Sequence, residues 1–208
     1  MNYNQQKRLL DLIVAITLII AFLPFWIIVP LLIILDSGLP IMFQHKRIGK
    51  GGQEFYINKF RSMVPGAHEM LHKKNNALLK KFKKGDWKIA AKEDPRITRL
   101  GRFLRALTID EFPQLFNVLH NEMSMVGPRA YMKSELKEQT KKHPETRPYI
   151  KKILTIKPGV TGPWQTSGRN EIPFAQRAKM DAEYADNCSI WTDIIILAKT
   201  PKAMISKW

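Results

Sequence analysis

Residues 12–35 form a run in which Thr17 carries the one polar side chain, closed on either side by Asp11 and Asp36. A soluble core rarely takes in such a segment whole, because buried helices of this length normally keep a polar face. Its 24 residues exceed the about 20 that a helix needs to cross a bilayer at ~1.5 Å per residue. Two prolines interrupt it, Pro24 near the middle and Pro30 after it. Each removes a backbone hydrogen bond and crowds the preceding turn, so the run is expected to break at both. Neither part flanking Pro24 is then long enough to span. Basic residues stand on both flanks, Lys7 and Arg8 before the run and His45, Lys46, Arg47 and Lys50 after it. A single crossing keeps its basic residues on one side. The pattern therefore predicts a re-entrant membrane hairpin bent at Pro24, with residues 1–44 as hairpin and basic flank. A simple spanning anchor is the alternative, since membrane helices tolerate proline. The run is too long for a signal peptide, and no small-residue cleavage site follows it.

Residues 45–208 are sufficient for one domain with a single core. Lys7 and Arg8 are balanced by Asp11 and Asp36, so the net charge of +16 lies beyond the hairpin. Such a charge beside a membrane points to anionic headgroups, phosphorylated substrates or nucleic acid. Cys188 is the one cysteine, which excludes an internal disulfide and a thiolate metal cage.

Residues 40–44 and 53–60 read as short strands about the turn Gly49-Lys50-Gly51-Gly52, a β-hairpin. Residues 67–84 read as one basic amphipathic helix lying on headgroups or in solvent. The motif His68-Glu69-Met70-Leu71-His72 within it matches H-E-x-x-H, so a membrane-anchored zinc protease is one alternative function. Against it stand the missing third ligand and the lysines that follow. Arg96, Arg99, Arg102 and Arg105, spaced by threes, are expected to form one basic stripe on a helix, with forks suited to phosphate.

Thr108-Ile109-Asp110-Glu111-Phe112-Pro113 follows. Thr108 and Glu111 have the spacing of a capping box, while a cap at Asp110 would put Pro113 in the first turn. Spacing alone favours a cap. Either start leaves both carboxylates at the positive end of a helix over residues 112–119, where a carboxylate stays ionised and phosphate is attracted. Residues 123–129 read as a turn with Arg129 behind Gly127-Pro128, and residues 131–142 as a polar helix. Residues 158–169, rich in glycine and proline and carrying Trp164, Gln165 and Arg169, read as a long loop of a kind that is either functional or disordered. Residues 174–186 read as a helix. The apolar residues from Ile190 to Trp208 suggest interfacial helices interrupted at Pro201.

Together, the proline-broken hairpin, Lys59-Phe60-Arg61-Ser62-Met63, Asp94-Pro95-Arg96-Ile97-Thr98, Asp110-Glu111-Phe112-Pro113-Gln114-Leu115, Asn117-Val118, Gly127-Pro128-Arg129 and the 158–170 loop resemble the bacterial sugar transferases. These are monotopic polyprenyl-phosphate phosphoglycosyl transferases. The resemblance covers almost the whole chain, and the order and spacing of its motifs are specific. It implies an α+β, mainly helical fold with a re-entrant membrane hairpin, a small β-hairpin and a helical domain on the cytoplasmic face of the bacterial membrane. It implies transfer of a sugar 1-phosphate from a UDP-sugar to polyprenyl (undecaprenyl) phosphate through an aspartyl intermediate, with release of UMP. Asp110 is then the nucleophile, and Glu111 joins it in binding magnesium. Lys59, Arg105, Arg129, Gln165 and Arg169 are the substrate-binding candidates, and Lys7 and Arg8 meet lipid headgroups. A homodimer is compatible with the resemblance. Leu23, Ala130 and Pro163 depart from the family pattern at the bend, behind Arg129 and in the loop.

A membrane-tethered nucleic-acid binder would also account for the charge. Asp110-Glu111 beside the arginines speaks against it, because two carboxylates repel a phosphate backbone, and no nucleic-acid partner is expected.

Overall fold

The computed structural model describes residues 2–71, 76–85, 87, 89–90, 92–168 and 172–204. Helix α1 (Tyr3–Ala21) starts at a capping box, with the Asn2 side chain accepting from Gln5 N and the Gln5 side chain accepting from Asn2 N. It ends just before Pro24, and α2 (Phe25–Ser37) follows with the pair bent by 63°. Trp26 Nε1 donates to Ile19 O at 3.2 Å, giving a partner to one carbonyl at the broken end. Pro30, expected to break the run again, stays inside α2. The proline costs about 3 kcal/mol, and the inward face offsets it: Val29 and Ile33 share a core with Phe60, Leu104 and Ile109.

Among the described residues no single helix is long and apolar enough to cross a membrane, whereas the bent pair together has the length and composition. Ile13, Ile16, Ile20, Ile27 and Leu31 on these two helices, and Leu23 in the break between them, are 47–65 % exposed. So large an apolar surface marks an interaction with something other than water. The helices are not detached from the rest. Ala15 is fully buried in a core with Leu115, Val118, Met123 and Met125. The buried Asp11 carboxylate accepts from Ser124 Oγ at 3.0 Å and Met125 N at 2.9 Å.

Strands β1 (Met42–Ile48) and β2 (Glu54–Phe60) pair antiparallel, Met42 opposite Phe60 and Ile48 opposite Glu54. The first strand thus runs four residues past its expected end, because positive φ at Gly51 and Gly52 confines the reversal to the turn itself. Of the single helix expected over 67–84, the described residues show a short α3 (Ala67–Glu69) and an α4 (Asn76–Lys84). His72 lies outside the described residues, so the H-E-x-x-H reading does too. Helix α5 (Arg99–Ala106) is capped by Thr98 and is followed by a 3-10 turn at Ile109–Glu111 and then α6 (Gln114–Leu119).

The arginine stripe does not form. A step of three falls 60° short of a full turn, so the residues drift around the helix. Arg96 lies before α5 and is buried in a two-point pair with Asp94, Arg99 and Arg102 are exposed, and Arg105 turns inward.

The expected turn at 123–129 and loop at 158–169 contain two short strands, β3 (Ser124–Val126) and β4 (Gly159–Thr161), paired parallel. They meet closely enough that a Cβ at Gly159 would lie 2.1 Å from Gly127 N. Four more helices complete the fold: α7 (Lys133–Lys142), α8 (Arg147–Ile153), α9 (Phe174–Asn187) and α10 (Ile190–Met204). Helix α10 continues through Pro201 instead of stopping there, and exposes Trp191, Ile194 and Ile195.

Candidate active site

The hairpin register fixes the first wall of a cleft. Directly opposed residues of an antiparallel pair share a face, so Arg47 with Phe55, His45 with Ile57 and Phe43 with Lys59 lie on one side of the ribbon. Arg47, Ile57 and Lys59 line a cleft of about 210 Å³ that Asp110 and Glu111 enter from the 3-10 turn. Asn117 holds the two elements together. Fully buried on α6, it accepts from Asn58 N at 3.0 Å and donates to Tyr56 O at 2.7 Å.

Lys59 Nζ donates to Glu111 Oε1 at 2.6 Å. Asp110 is buried, with Arg105 Nε 3.9 Å from its Oδ2 and also donating to Ser62 Oγ at 2.9 Å. Burial raises the proton affinity of Asp110; Lys59 opposes this, Glu111 adds to it, and Arg105 opposes it. The expected cap is not made. Thr108 takes a left-handed φ of 58° with no capping hydrogen bond and donates its hydroxyl to Met204 O. Nor does α6 have a side-chain cap, since Pro113 occupies that position. The carboxylates sit in the first turn of the 3-10 helix without a side-chain cap, engaged by Lys59 and Arg105.

Arg129 and Gln165 line the same cleft. The Arg129 guanidinium lies 5.3 Å from the Trp164 ring centre and 5.9 Å from that of Tyr131, and the fully buried Arg177 lies 5.6 Å from Trp164. Such cation–ring contacts fix a planar guanidinium. Arg129 N donates to Asp181 Oδ2 at 3.0 Å, and burial pushes Asp181 up to about 7. Arg169 lies outside the described residues.

Lys7 and Arg8 are engaged within the protein. Lys7 Nζ is 3.0 Å from Asp193 and 3.4 Å from Asp11, and Arg8 donates to Val118 O and Leu119 O at 2.6 and 2.9 Å, closing the carbonyl end of α6. Pro24 stands at the break between α1 and α2.

The profile of the family described as "Bacterial sugar transferase" matches residues 2–207. The chain belongs to the bacterial sugar transferase family. It is 39 % identical over 93 % of its length to the UDP-galactose-lipid carrier transferase of Erwinia amylovora, and 38 % identical over 97 % to the undecaprenyl-phosphate galactose phosphotransferase of Salmonella typhimurium. It spans only 39 % and 40 % of those two longer proteins. It is also 36 % identical to the exopolysaccharide production protein ExoY of Sinorhizobium fredii, covering 95 % of this chain and 84 % of that one.

In this sugar transferase, sequence reasoning passed over several cleft residues. A first strand ending at residue 44 leaves Arg47 outside the alternation that puts it on the same face as Lys59. Trp87 and Phe82 also line the cleft with no local pattern to mark them, and Gln114 lines it from within the Asp110–Leu115 motif. The Asp94–Arg96 pair could have been read from the Asp-Pro-Arg turn, in which Asp94 Oδ1 accepts from both Arg96 N and Arg96 Nε.

Proposed function

We propose that this bacterial sugar transferase moves a sugar 1-phosphate from a UDP-sugar to a polyprenyl phosphate, releasing UMP, as the first membrane step of exopolysaccharide or related glycan assembly. The observation that carries this reading is the buried Asp110, set beside Glu111, Lys59 and Arg105 in a cleft that Arg129 and Gln165 also line. The names of the relatives, undecaprenyl-phosphate galactose phosphotransferase among them, support both donor and acceptor.

In the first step a carboxylate oxygen of Asp110 bonds to the β-phosphorus of the donor. The bond from that phosphorus to the oxygen bridging it to the α-phosphate breaks, and UMP leaves with the electron pair. In the second step an oxygen of the polyprenyl phosphate bonds to the same phosphorus and the Asp110 carboxylate is released. No proton is transferred in either step. An anionic nucleophile reaches an anionic phosphorus only where positive charge is already arranged around it, and Lys59, Arg105 and Arg129 supply it. A covalent intermediate separates a water-soluble donor from a lipid acceptor in time, so one small site serves both.

Magnesium fits the two carboxylates, which are hard oxygen donors of the kind it takes together with substrate phosphates. Among the described residues no group of three or more His, Cys, Asp or Glu is arranged to hold a metal, so the ion would be shared with the donor. Bound there, it would offset phosphate charge. The bent α1–α2 pair would lie in the cytoplasmic leaflet and re-emerge on the same face, and Asp110 would meet the acceptor's headgroup at that surface.

The test is intact mass of the purified protein incubated with magnesium and a panel of UDP-sugars, without lipid acceptor. One sugar phosphate should be gained, matched by UMP and absent in Asp110→Asn. UMP released only when polyprenyl phosphate is present, with no adduct, would remove Asp110 as the nucleophile.

A further inference from the structure

Arg47 has no place in the roles above, yet its surroundings are built for an anion. Its side chain is 12 % exposed. Ile48 N donates to Tyr131 O at 2.9 Å, and Arg47 Nη1 donates to Ala130 O at 3.2 Å, so β1 is tied at two successive residues to the segment carrying Arg129. Arg47 and Arg129 therefore line one cleft as neighbours in a fixed relation. The Nε of each is buried without a hydrogen-bond partner among the described residues. Glu135 forms an ion pair with Arg47 at 3.8 Å from Nη1, a contact too long for a hydrogen bond that leaves Nε unfilled. Burial and the neighbouring Arg129 pull Arg47 down to about 10, while Glu135 and Glu111 pull it up. It stays charged at neutral pH.

Two like charges held close together, each with a buried donor unfilled, are a poor arrangement for stability alone. They are a good one for a ligand that brings two or more negative oxygens, because each guanidinium offers a planar fork to phosphate. Lys59 and Arg105 are already committed to Glu111, Ser62 and Asp110. We propose that Arg47 is a substrate-binding residue that closes with Arg129 on the phosphate of the nucleotide, the part of the donor that leaves. This rests on the UDP-sugar reading.

The experiment compares UMP with uridine as ligands of the full-length protein in detergent with magnesium, by inhibition of UMP release from a UDP-sugar. Parent, Arg47→Gln and Arg47→Lys are compared, each with a thermal melt. The expected result is UMP inhibition weakened at least tenfold in Arg47→Gln and several-fold in Arg47→Lys, with uridine inhibition changed less than twofold in both. The KM for the donor should rise with UMP inhibition. UMP inhibition within twofold of the parent in Arg47→Lys, or equal loss for UMP and uridine, overturns the clamp. Should Arg47→Gln fail to fold, Arg47→Lys decides alone, since it keeps the charge and loses only the fork. A parent that neither releases UMP nor is inhibited by it would sink the UDP-sugar reading instead.

Discussion

Asp110 is the residue whose chemistry depends most on its neighbours. On the proposed mechanism this carboxylate, its proton affinity raised by burial and lowered by Lys59, must be ionised to attack phosphorus. UMP release should therefore rise with pH through that raised value, placing the acid limb above the usual carboxylate range. Lys59→Met removes the largest influence favouring the charged form. The limb should then move to higher pH, and the rate at neutral pH should fall on the order of 10²-fold, as when one charge-stabilising donor is removed. Single-turnover UMP release measured across pH checks both. An unmoved limb would show that Lys59 acts on Glu111 alone, its partner at 2.6 Å.

At the scale of elements, the cleft depends on how closely α5 lies against the strand exit. A Cβ on Gly101 would sit 1.9 Å from Ser62 O and 2.7 Å from Ser62 C. Both are backbone atoms, so α5 would have to move, carrying Arg105 away from Ser62 Oγ. Gly101→Ala should destabilise the protein by about 1–3 kcal/mol and slow UMP release, while Arg102→Ala on the exposed side of the same helix should change neither. A denaturant melt and an activity assay on the two variants separate these outcomes. The helices over 99–106, 133–142 and 174–187 and the β-hairpin are legible from periodicity and turn residues, because each is stabilised largely by its own pattern. Strands β3 and β4 are three residues each, too short to alternate, and they exist because distant segments pair. The acidic pair was legible as a motif, but not its setting: the spacing favoured a cap, and Thr108 instead reaches Met204 at the far end of the chain. Arg8 was expected to face headgroups and is bonded to α6, a contact 110 residues away in sequence. Long-range partners of this kind leave no local trace.

The molecule as a whole carries +16 together with a broad apolar surface on α1 and α2, and salt discriminates between the two as the source of membrane binding. Charge attraction is screened within about 3 Å at 1 M ionic strength, while burial of apolar area is not. The parent should float with anionic vesicles at both 0.15 and 1 M salt. A variant with Ile16, Ile20, Ile27 and Leu31 changed to Gln should float only at the lower concentration. Release of the parent by salt would mean that charge alone holds it. The bond from Arg8 to the carbonyl end of α6 also has a mechanical meaning. One end of that short helix is moored to α1, while its other end follows directly from the turn bearing Asp110 and Glu111. On the proposed reading, α1 works as a depth gauge: how far it sinks into a leaflet sets the altitude of the nucleophile above the lipid phosphates. Bilayer thickness and headgroup packing then become kinetic variables of a reaction in which neither takes part.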